Sequence, residues 1–297
     1  CYLRFRKPPL YPDELRGPIN EDWRIAYAES QRNDASAWYR RQVHLVYSST
    51  MTGALENGIR FVYFDCGGTL LTARPSVGSI YSLRAAAHGF SVEADLLDER
   101  FRQAWNDSKE RARQRNYVCS DEVLRGEWLR IVTDTFGEAI AEEEIGPVFA
   151  DLYEYFVAPS AWTLDPAIRP LLERLRGQGL GLGILSNWDR RLRRTLEQLE
   201  LLEFFDQVVI SNEVGWEKPH REIFELAIEK SGCGAENILH VGDSMEADIL
   251  PATELGLAAL WVDRQGFRQQ PPGGVFRCED PGELTESEWD NLLKSYK

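Results

Sequence analysis

The sequence predicts an α/β fold: a doubly wound parallel sheet that is interrupted by an all-helical segment. From residue 165 onward, short apolar and β-branched runs alternate with helical segments, which is the pattern of parallel strands joined by helices. Between a first strand signal at 60–64 and this alternating region, about 80 residues show helical periodicity and no strand pattern. The chain therefore predicts one sheet with a helical domain inserted after its first strand.

The individual elements follow from the same periodicities. The first strand, 60–64, is apolar, aromatic and β-branched, as expected of a buried strand. The inserted segment divides into four predicted helices, at 79–88, 94–113, 121–136 and 143–157. The later strands are predicted at 180–185, 207–210, 238–241 and 258–262. Helices are predicted before and between them, at 166–176, 190–200, 219–231 and 245–255.

Composition excludes several classes of protein. The 297 residues are 43% hydrophobic and 28% charged, as in an ordinary globular protein. The formal net charge of -14 disfavours non-specific binding to nucleic acid or to an anionic membrane. No apolar run approaches the ~20 residues that span a bilayer, and no signal peptide is visible. The five scattered cysteines lack a C-x-x-C pair, which predicts a reducing, cytoplasmic location without disulfides or zinc.

Both termini fall outside the predicted sheet. Residues 1–57 form an N-terminal extension with two open interpretations. Because 1–50 contain no methionine, the natural start can be Met51; alternatively, the extension is genuine and forms amphipathic helices at 21–31 and 34–47. In the tail, 266–297, the stretch 269–282 is rich in proline and glycine and is expected to be irregular, and a final helix is expected at 287–296.

Four strand regions deliver polar groups at or near their carboxyl ends. In chain order these are Asp65 with Thr69, Ser186 with Asn187, Lys218, and Asp243 with Asp248. The carboxyl ends of parallel strands lie at one edge of a sheet, where open α/β sheets bind ligands. We therefore expect these groups to converge.

Their chemistry fits a phosphoryl group and a divalent cation. Asp65 and Asp243 can hold one hard cation, and Mg²⁺ prefers few carboxylates together with water and phosphate oxygens. Ser186, Lys218 and the backbone N–H groups of the 66–69 turn can bind a phosphoryl group, which leaves Asp65 to attack phosphorus. Taken singly, each residue has a plainer explanation as a cap, a turn residue or a solvated charge. All of them in this order, each at a strand-to-helix junction, favour the site.

The same stretches resemble the haloacid dehalogenase superfamily of hydrolases. Its four motifs match Asp65-x-x-x-Thr69, Ser186, Lys218 and Gly242-Asp243-x-x-x-x-Asp248. Three further stretches resemble the rhythmically-expressed-gene-2-like branch, namely 75–81, 184–192 and 215–219. The resemblance implies a Rossmann-like core at 58–74 and 160–265 with strand order 5-4-1-2-3, and a helical cap at 75–159. It also implies a small phosphorylated substrate; whether the protein is a monomer or a homodimer stays open.

The resemblance assigns roles to single residues. Asp65 is implied as the nucleophile and, with Asp243 and the backbone carbonyl of Gly67, as a ligand of Mg²⁺. Asp248 is implied as a supporting carboxylate near the metal. The residues implied to contact the phosphoryl group or the rest of the substrate are Thr69, Ser186, Lys218, Gly67, Gly68 and Asn187.

One position departs from the family pattern. Phosphatases of this superfamily carry a second aspartate two positions after the nucleophile, where it protonates the leaving oxygen and then activates water; here that position is Gly67. General acid–base catalysis typically contributes ~10²–10⁴-fold. Alkyl phosphates would lose most, and acyl or aryl phosphates, whose leaving groups need no proton, would lose least. Cap residues His88, Asp95 and Glu99 are candidate substitutes, although a solvated helix face is the simpler role for each.

Gly67 also leaves two alternatives to a phosphatase. Dehalogenases of the superfamily lack the second aspartate too, because halide leaves unprotonated. The Gly242-Asp243 pair speaks against this alternative, since displacement of halide needs no metal. The other alternative is a binding or regulatory protein that keeps the fold and the metal pocket but not turnover.

Overall fold

The computed structural model describes residues 58–264, 266 and 271–295. The predictions for 1–57, including the start at Met51 and the two amphipathic helices, lie outside the described residues. Within the described ranges, no helix is long and apolar enough to cross a membrane.

The first half of the described chain forms one strand of the main sheet and the helical insertion. Strand β1 (Phe61–Phe64) is followed by the short β2 (Leu71–Ala73). Four helices follow, and they are the four that the sequence predicts: α1 (Val77–Ala87), α2 (Ala94–Gln114), α3 (Asp121–Phe136) and α4 (Ile145–Tyr155). Strand β3 (Trp162–Leu164) then pairs antiparallel with β2. The chain therefore enters and leaves the helical cap side by side.

The second half alternates strands and helices. Its elements are α5 (Ile168–Gly177), β4 (Gly181–Ser186), α6 (Arg191–Gln198), β5 (Gln207–Ile210), the short α7 (Ser211–Val214), α8 (Arg221–Ser231), β6 (Ile238–Gly242), α9 (Leu250–Glu254), β7 (Ala258–Val262), β8 (Phe276–Cys278) and α10 (Glu286–Ser295). A π-helical turn, Met245–Ile249, leads from β6 into α9.

The main sheet is parallel throughout, in the order β5-β4-β1-β6-β7-β8. The sequence prediction 5-4-1-2-3 numbers only the core strands along the chain, so its strands 1 to 5 are β1, β4, β5, β6 and β7. In that numbering, and read from the β7 side, the observed order of these five strands is also 5-4-1-2-3, which confirms the prediction. Strand β1 lies between β4 and β6, so the strands that carry Asp65, Ser186 and Asp243 are direct neighbours. Their carboxyl ends share one edge of the sheet.

Strand β1 is buried on both faces because helices cover both. Val62 and Phe64 pack into a core that also contains residues of α5, α6 and α10. Phe61 and Tyr63 point to the opposite face and pack against α8, and the Tyr63 hydroxyl donates to the carbonyl of Ala227 at 2.8 Å. A third apolar cluster forms the interior of the cap.

The tail contradicts the expectation of an irregular 269–282 stretch. Strand β8 lies in this stretch and pairs in parallel with β7, and Arg277 on it forms an ion pair with the buried Asp263 at 2.5 Å. Helix α10 then places Trp289, which is fully buried, in the main core, where its indole N–H donates to the carbonyl of Pro281. The strand was missed because it has three residues, lies between proline- and glycine-rich turns and exposes Phe276.

Because Trp289 fills the core beneath the sheet, Trp289→Ala should lower the free energy of unfolding by about 3–5 kcal/mol. Urea denaturation measures this. Trp105→Ala is the matched control, because Trp105 is 38% exposed on the cap and should cost less than half as much. Equal losses in the two variants would show that the tail is not part of the core.

Candidate active site

The polar groups predicted to converge do so at the carboxyl edge of the sheet. Asp65 follows β1, Ser186 ends β4 and Asp243 follows β6. One oxygen from each of Asp65, Asp243 and Asp248 lies within 4.8 Å of the others. Residues far apart in sequence therefore form one compact acidic cluster.

Lys218 is the cation at the centre of this cluster. Its Nζ donates to Asp65 Oδ1 at 2.7 Å, to Asp248 Oδ1 at 2.5 Å and to the carbonyl of Leu185 at 2.9 Å, and its side chain is 2% exposed. The Ser186 hydroxyl donates to the same Asp65 oxygen at 2.9 Å. Two donors on one oxygen fix the orientation of the Asp65 carboxylate.

The Asn187 side chain forms hydrogen bonds with the backbone of Lys218. Its side-chain amide donates to the Lys218 carbonyl at 2.8 Å, and its oxygen accepts the Lys218 N–H at 2.7 Å. Both ends of the amide are therefore engaged with the segment that carries the lysine. The predicted substrate contact of Asn187 stays a prediction; what the geometry adds is this fixing of the Lys218 main chain.

Burial and an excess of negative charge together shift the pKa values of the cluster. Burial raises the pKa of Asp65, although Lys218 opposes the rise. Asp243 keeps solvent access, yet the protein atoms packed around it and the charges of Asp65 and Asp248 raise its pKa to about 8. Burial also acts on Asp248, but Lys218 and His240 outweigh it and hold the pKa of Asp248 well below its usual range. Three carboxylates face one ammonium, an arrangement that suits a bound cation.

Asp248 is held by three donors from the protein. Besides Lys218, the His240 Nε2 lies 2.9 Å from its Oδ1, and the Ser244 N–H donates to its Oδ2 at 3.1 Å. A Cβ on Gly242 would lie 2.4 Å from Asp248 Cγ, so only glycine permits this approach. Sequence reasoning missed His240; a histidine inside a buried strand is the signal that could have found it.

The turn after β1 is shaped by glycine and closed by an arginine. Gly68 has φ +83, and a Cβ there would lie 2.5 Å from Asp243 Oδ2. Thr69 is fully buried and its hydroxyl has no hydrogen-bond partner among the described residues. Arg264 donates to the carbonyls of Gly68 and Thr69, at 3.1 and 3.0 Å, and pairs with Asp280 of the tail. Sequence reasoning missed Arg264, which has no local motif.

Gly67 lies against the ring of Trp188. A Cβ at this position would meet the Trp188 ring at 3.4 Å, which is ordinary van der Waals contact. Of the three candidate substitute acids, His88 pairs with Asp151 in the cap at 3.1 Å, and Asp95 and Glu99 are exposed on α2. Across the described ranges, no hydrogen bond or ion pair joins any of the three to the acidic cluster or to Lys218.

Comparison with known proteins places this arrangement in a family. A sequence profile of the haloacid dehalogenase-like hydrolases matches residues 59–256. The chain is 34% identical over 210 residues to human haloacid dehalogenase-like hydrolase domain-containing protein 3, with 69% of this chain and 82% of that protein covered. It is 29% identical over 222 residues to the Rhythmically expressed gene 2 protein of Drosophila melanogaster, with 70% and 84% covered.

A solved structure with a similar fold is the HAD phosphatase from Thermococcus onnurineus. The two chains are 25% identical with a TM-score of 0.50, and the match covers 75% of this chain and 94% of the other. The profile match extends from β1 through α9 and so includes the whole acidic cluster and Lys218. The chain belongs to the haloacid dehalogenase-like hydrolase family, in the branch that contains the Rhythmically expressed gene 2 protein.

Proposed function

We propose that this protein is a Mg²⁺-dependent hydrolase of a small phosphorylated compound, and that it works through an aspartyl-phosphate intermediate on Asp65. The observation that carries the proposal is the convergence of Asp65, Ser186 and Lys218 beside Asp243, with donors already aligned on the Asp65 carboxylate. The similarity to a HAD phosphatase supports phosphate rather than another substrate class.

The proposed chemistry has two steps. In the first, a carboxylate oxygen of Asp65 attacks phosphorus and the leaving group departs with its electron pair. In the second, water attacks phosphorus, the bond between phosphorus and the Asp65 oxygen breaks to return the carboxylate, and the proton that the water loses leaves on the released phosphate. Lys218, Ser186 and Thr69 donate hydrogen bonds to phosphoryl oxygens, and the unpartnered Thr69 hydroxyl is available for this.

The residues of the cluster fit a hard divalent cation. Carboxylate oxygens are the ligands that Mg²⁺ prefers, and three of them face one ammonium here. We propose that Asp65, Asp243 and the carbonyl of Gly67 hold the ion, with Asp248 in support. The bound ion supplies positive charge that offsets the phosphoryl oxygens and the carboxylates.

Gly67 restricts the range of substrates. It offers no proton to a leaving oxygen, and no candidate cap acid contacts the site within the described ranges. A leaving group that is a stable anion, such as a phenolate or a carboxylate, needs no such proton. We therefore propose activity on aryl and acyl phosphates, with weak turnover of alkyl phosphates.

A second candidate is a binding or regulatory protein that holds Mg²⁺ and a phosphorylated ligand without turnover. Gly67 is the observation that favours it. Binding of phosphate together with Mg²⁺, without hydrolysis of any aryl or acyl phosphate, would select it. A dehalogenase-type reaction is less well supported, because it leaves the acidic cluster at Asp243 and Asp248 without a role.

Saturating Mg²⁺ should raise the melting temperature by roughly 5–10 °C, since ligand at 100 times its Kd stabilises by about 2.7 kcal/mol. Asp243→Asn should remove most of this response. Without Mg²⁺ that variant should be no less stable than the wild type, because burial and the charges of Asp65 and Asp248 already disfavour an ionised group at position 243. Thermal unfolding measures both effects, with Asp134→Asn on the cap surface as the control that keeps the full response. If Mg²⁺ raised the melting temperatures of Asp243→Asn and Asp134→Asn equally, the ion would not bind at Asp243.

Gly67→Asp should raise kcat/KM for an alkyl phosphate by at least ~10²-fold, because it restores the missing proton donor. The space beside Trp188 accepts the added Cβ. Gly67→Ala is the matched control: it adds the Cβ without the carboxyl group and should give no gain. Phosphate release from ethyl phosphate and 4-nitrophenyl phosphate measures the effect, and Asp65→Asn should abolish both reactions. A folded Gly67→Asp variant no better than Gly67→Ala would contradict the missing-acid explanation.

A further inference from the structure

The connection between α2 and α3, which we call the cap loop (residues 115–120), lies against the core segment that leads to Lys218. The Cys119 N–H donates to the carbonyl of Gly215 at 3.0 Å, and the Glu217 N–H donates to the carbonyl of Tyr117 at 2.8 Å. These bonds form a short antiparallel bridge between the cap and the core. The residue after Glu217 is Lys218, so the cap is attached one residue from the centre of the site.

An ion pair reinforces the bridge. Arg115 Nη2 donates to Glu217 Oε2 at 2.7 Å, and the two side chains are 21% and 11% exposed. Burial raises the pKa of Glu217 to about 7, although Arg115 opposes the rise. A carboxylate this enclosed is strongly disfavoured in its ionised form unless it has a partner. At neutral pH, that partner is Arg115.

The cap loop adopts a backbone that needs external support. Asn116 and Tyr117 have φ values of +51 and +58, in the left-handed region that non-glycine residues seldom occupy. Such backbone persists only where the surroundings hold it. The core supplies that support: the Asn212 side chain donates to Asp121 at 2.8 Å, and the Asn116 side chain lies 3.4 Å from His220 Nε2.

We propose that Arg115 is a positioning residue, which acts through Glu217 and the backbone bridge beside it to hold Lys218 between Asp65 and Asp248. The inference rests on the proposed role of Lys218 in binding the phosphoryl group. Docking of the cap loop fixes the main chain one residue before Lys218 and adds to the clamp that Asn187 makes on Lys218 itself. A cap that moves away releases this segment, so Lys218 reaches its full alignment only when the cap is docked.

The ion pair between Arg115 and Glu217 makes docking of the cap loop on the core depend on pH. The pKa of Glu217 is raised from 4.5 to about 7 in the docked structure, so the docked state binds a proton more readily than an undocked, solvated state. Docking is therefore strongest at low pH and weakens as the pH rises from about 4.5 to about 7. Removing Arg115 raises the pKa of Glu217 further, so that cap docking goes on weakening up to a higher pH. The charged and titratable groups that surround Glu217 are Arg115, Glu127, Arg111, Cys119, Lys218 and His220.

The test is a double-mutant cycle of Arg115→Ala and Glu217→Gln, followed at pH 8 and pH 5.5. Hydrogen–deuterium exchange of residues 211–220, corrected for the intrinsic rate, reports docking, and turnover of 4-nitrophenyl phosphate with Mg²⁺ reports the alignment of Lys218. Arg115→Ala should raise exchange and lower kcat about tenfold or more at pH 8, which corresponds to one pKa unit or more. At pH 5.5, where Glu217 is protonated, both effects should shrink to about threefold or less.

The double variant separates this role from general damage to the fold. With Glu217→Gln present, position 217 no longer titrates and Arg115 keeps only its contact with Glu127 among the described ion pairs, so adding Arg115→Ala should have a smaller effect with no pH dependence from Glu217. Arg130→Ala is the control, because Arg130 is 62% exposed and its ion pair, with Asp134, lies within α3. Exchange unaffected by Arg115→Ala, or raised exchange with unchanged kcat, would overturn the proposal. If the wild type hydrolyses no phosphate ester, the proposed function fails, and the exchange cycle by itself still decides whether Arg115 holds the segment before Lys218.

Discussion

The buried ammonium of Lys218 between two carboxylates is the interaction on which the rest of the site depends. A lysine that is 2% exposed is tolerated only with charged and hydrogen-bonding partners. Asp65 and the Leu185 carbonyl supply two of them at the ends of β1 and β4, and Asp248 supplies the third from the π-helical turn that follows β6. The parallel order of β4, β1 and β6 is what brings those strand ends together. The sheet topology and the site therefore depend on each other, because a different order of these strands would leave the buried Lys218 ammonium without its partners.

That constraint leaves the site with more negative than positive charge. The Lys218 ammonium balances one carboxylate, and Asp243 is added beside it through a turn that only Gly68 allows. Burial is the main cause of the raised pKa of Asp243, and the charges of Asp65 and Asp248 add to it. A divalent cation would relieve the excess of negative charge, and the phosphoryl group would then share Lys218 and Ser186 with Asp65. Under the proposed function, a metal ion and a phosphorylated substrate would meet charges that the fold already holds in place.

Much of this could be predicted from the sequence, because the informative signals are local. Each site residue follows a strong strand signal, and the 3.6-residue periodicity of the cap is unbroken, so the fold class and the converging residues could be found without coordinates. The missed features are long-range pairings. Arg115 and Glu217 are 102 residues apart, and Arg264 binds the turn at Gly68 from 196 residues away. Strand β8 has too few apolar residues to be recognised as a strand from the sequence. Nothing in its sequence indicates that Arg277 pairs with Asp263.

Because Gly67 supplies no proton donor, the proposed reaction depends more strongly on the other groups of the site. In a site with a proton donor, part of the barrier is lowered by proton transfer to the leaving oxygen. Without one, the rate depends on orientation and on charge placed in advance at the phosphoryl group. Lys218 is the principal fixed positive charge for this purpose, so small displacements of it matter more here than in a relative with the second aspartate. The clamp by Asn187 and the docked cap loop both hold the segment that carries Lys218. Under the proposed function, cap docking would therefore be a determinant of rate.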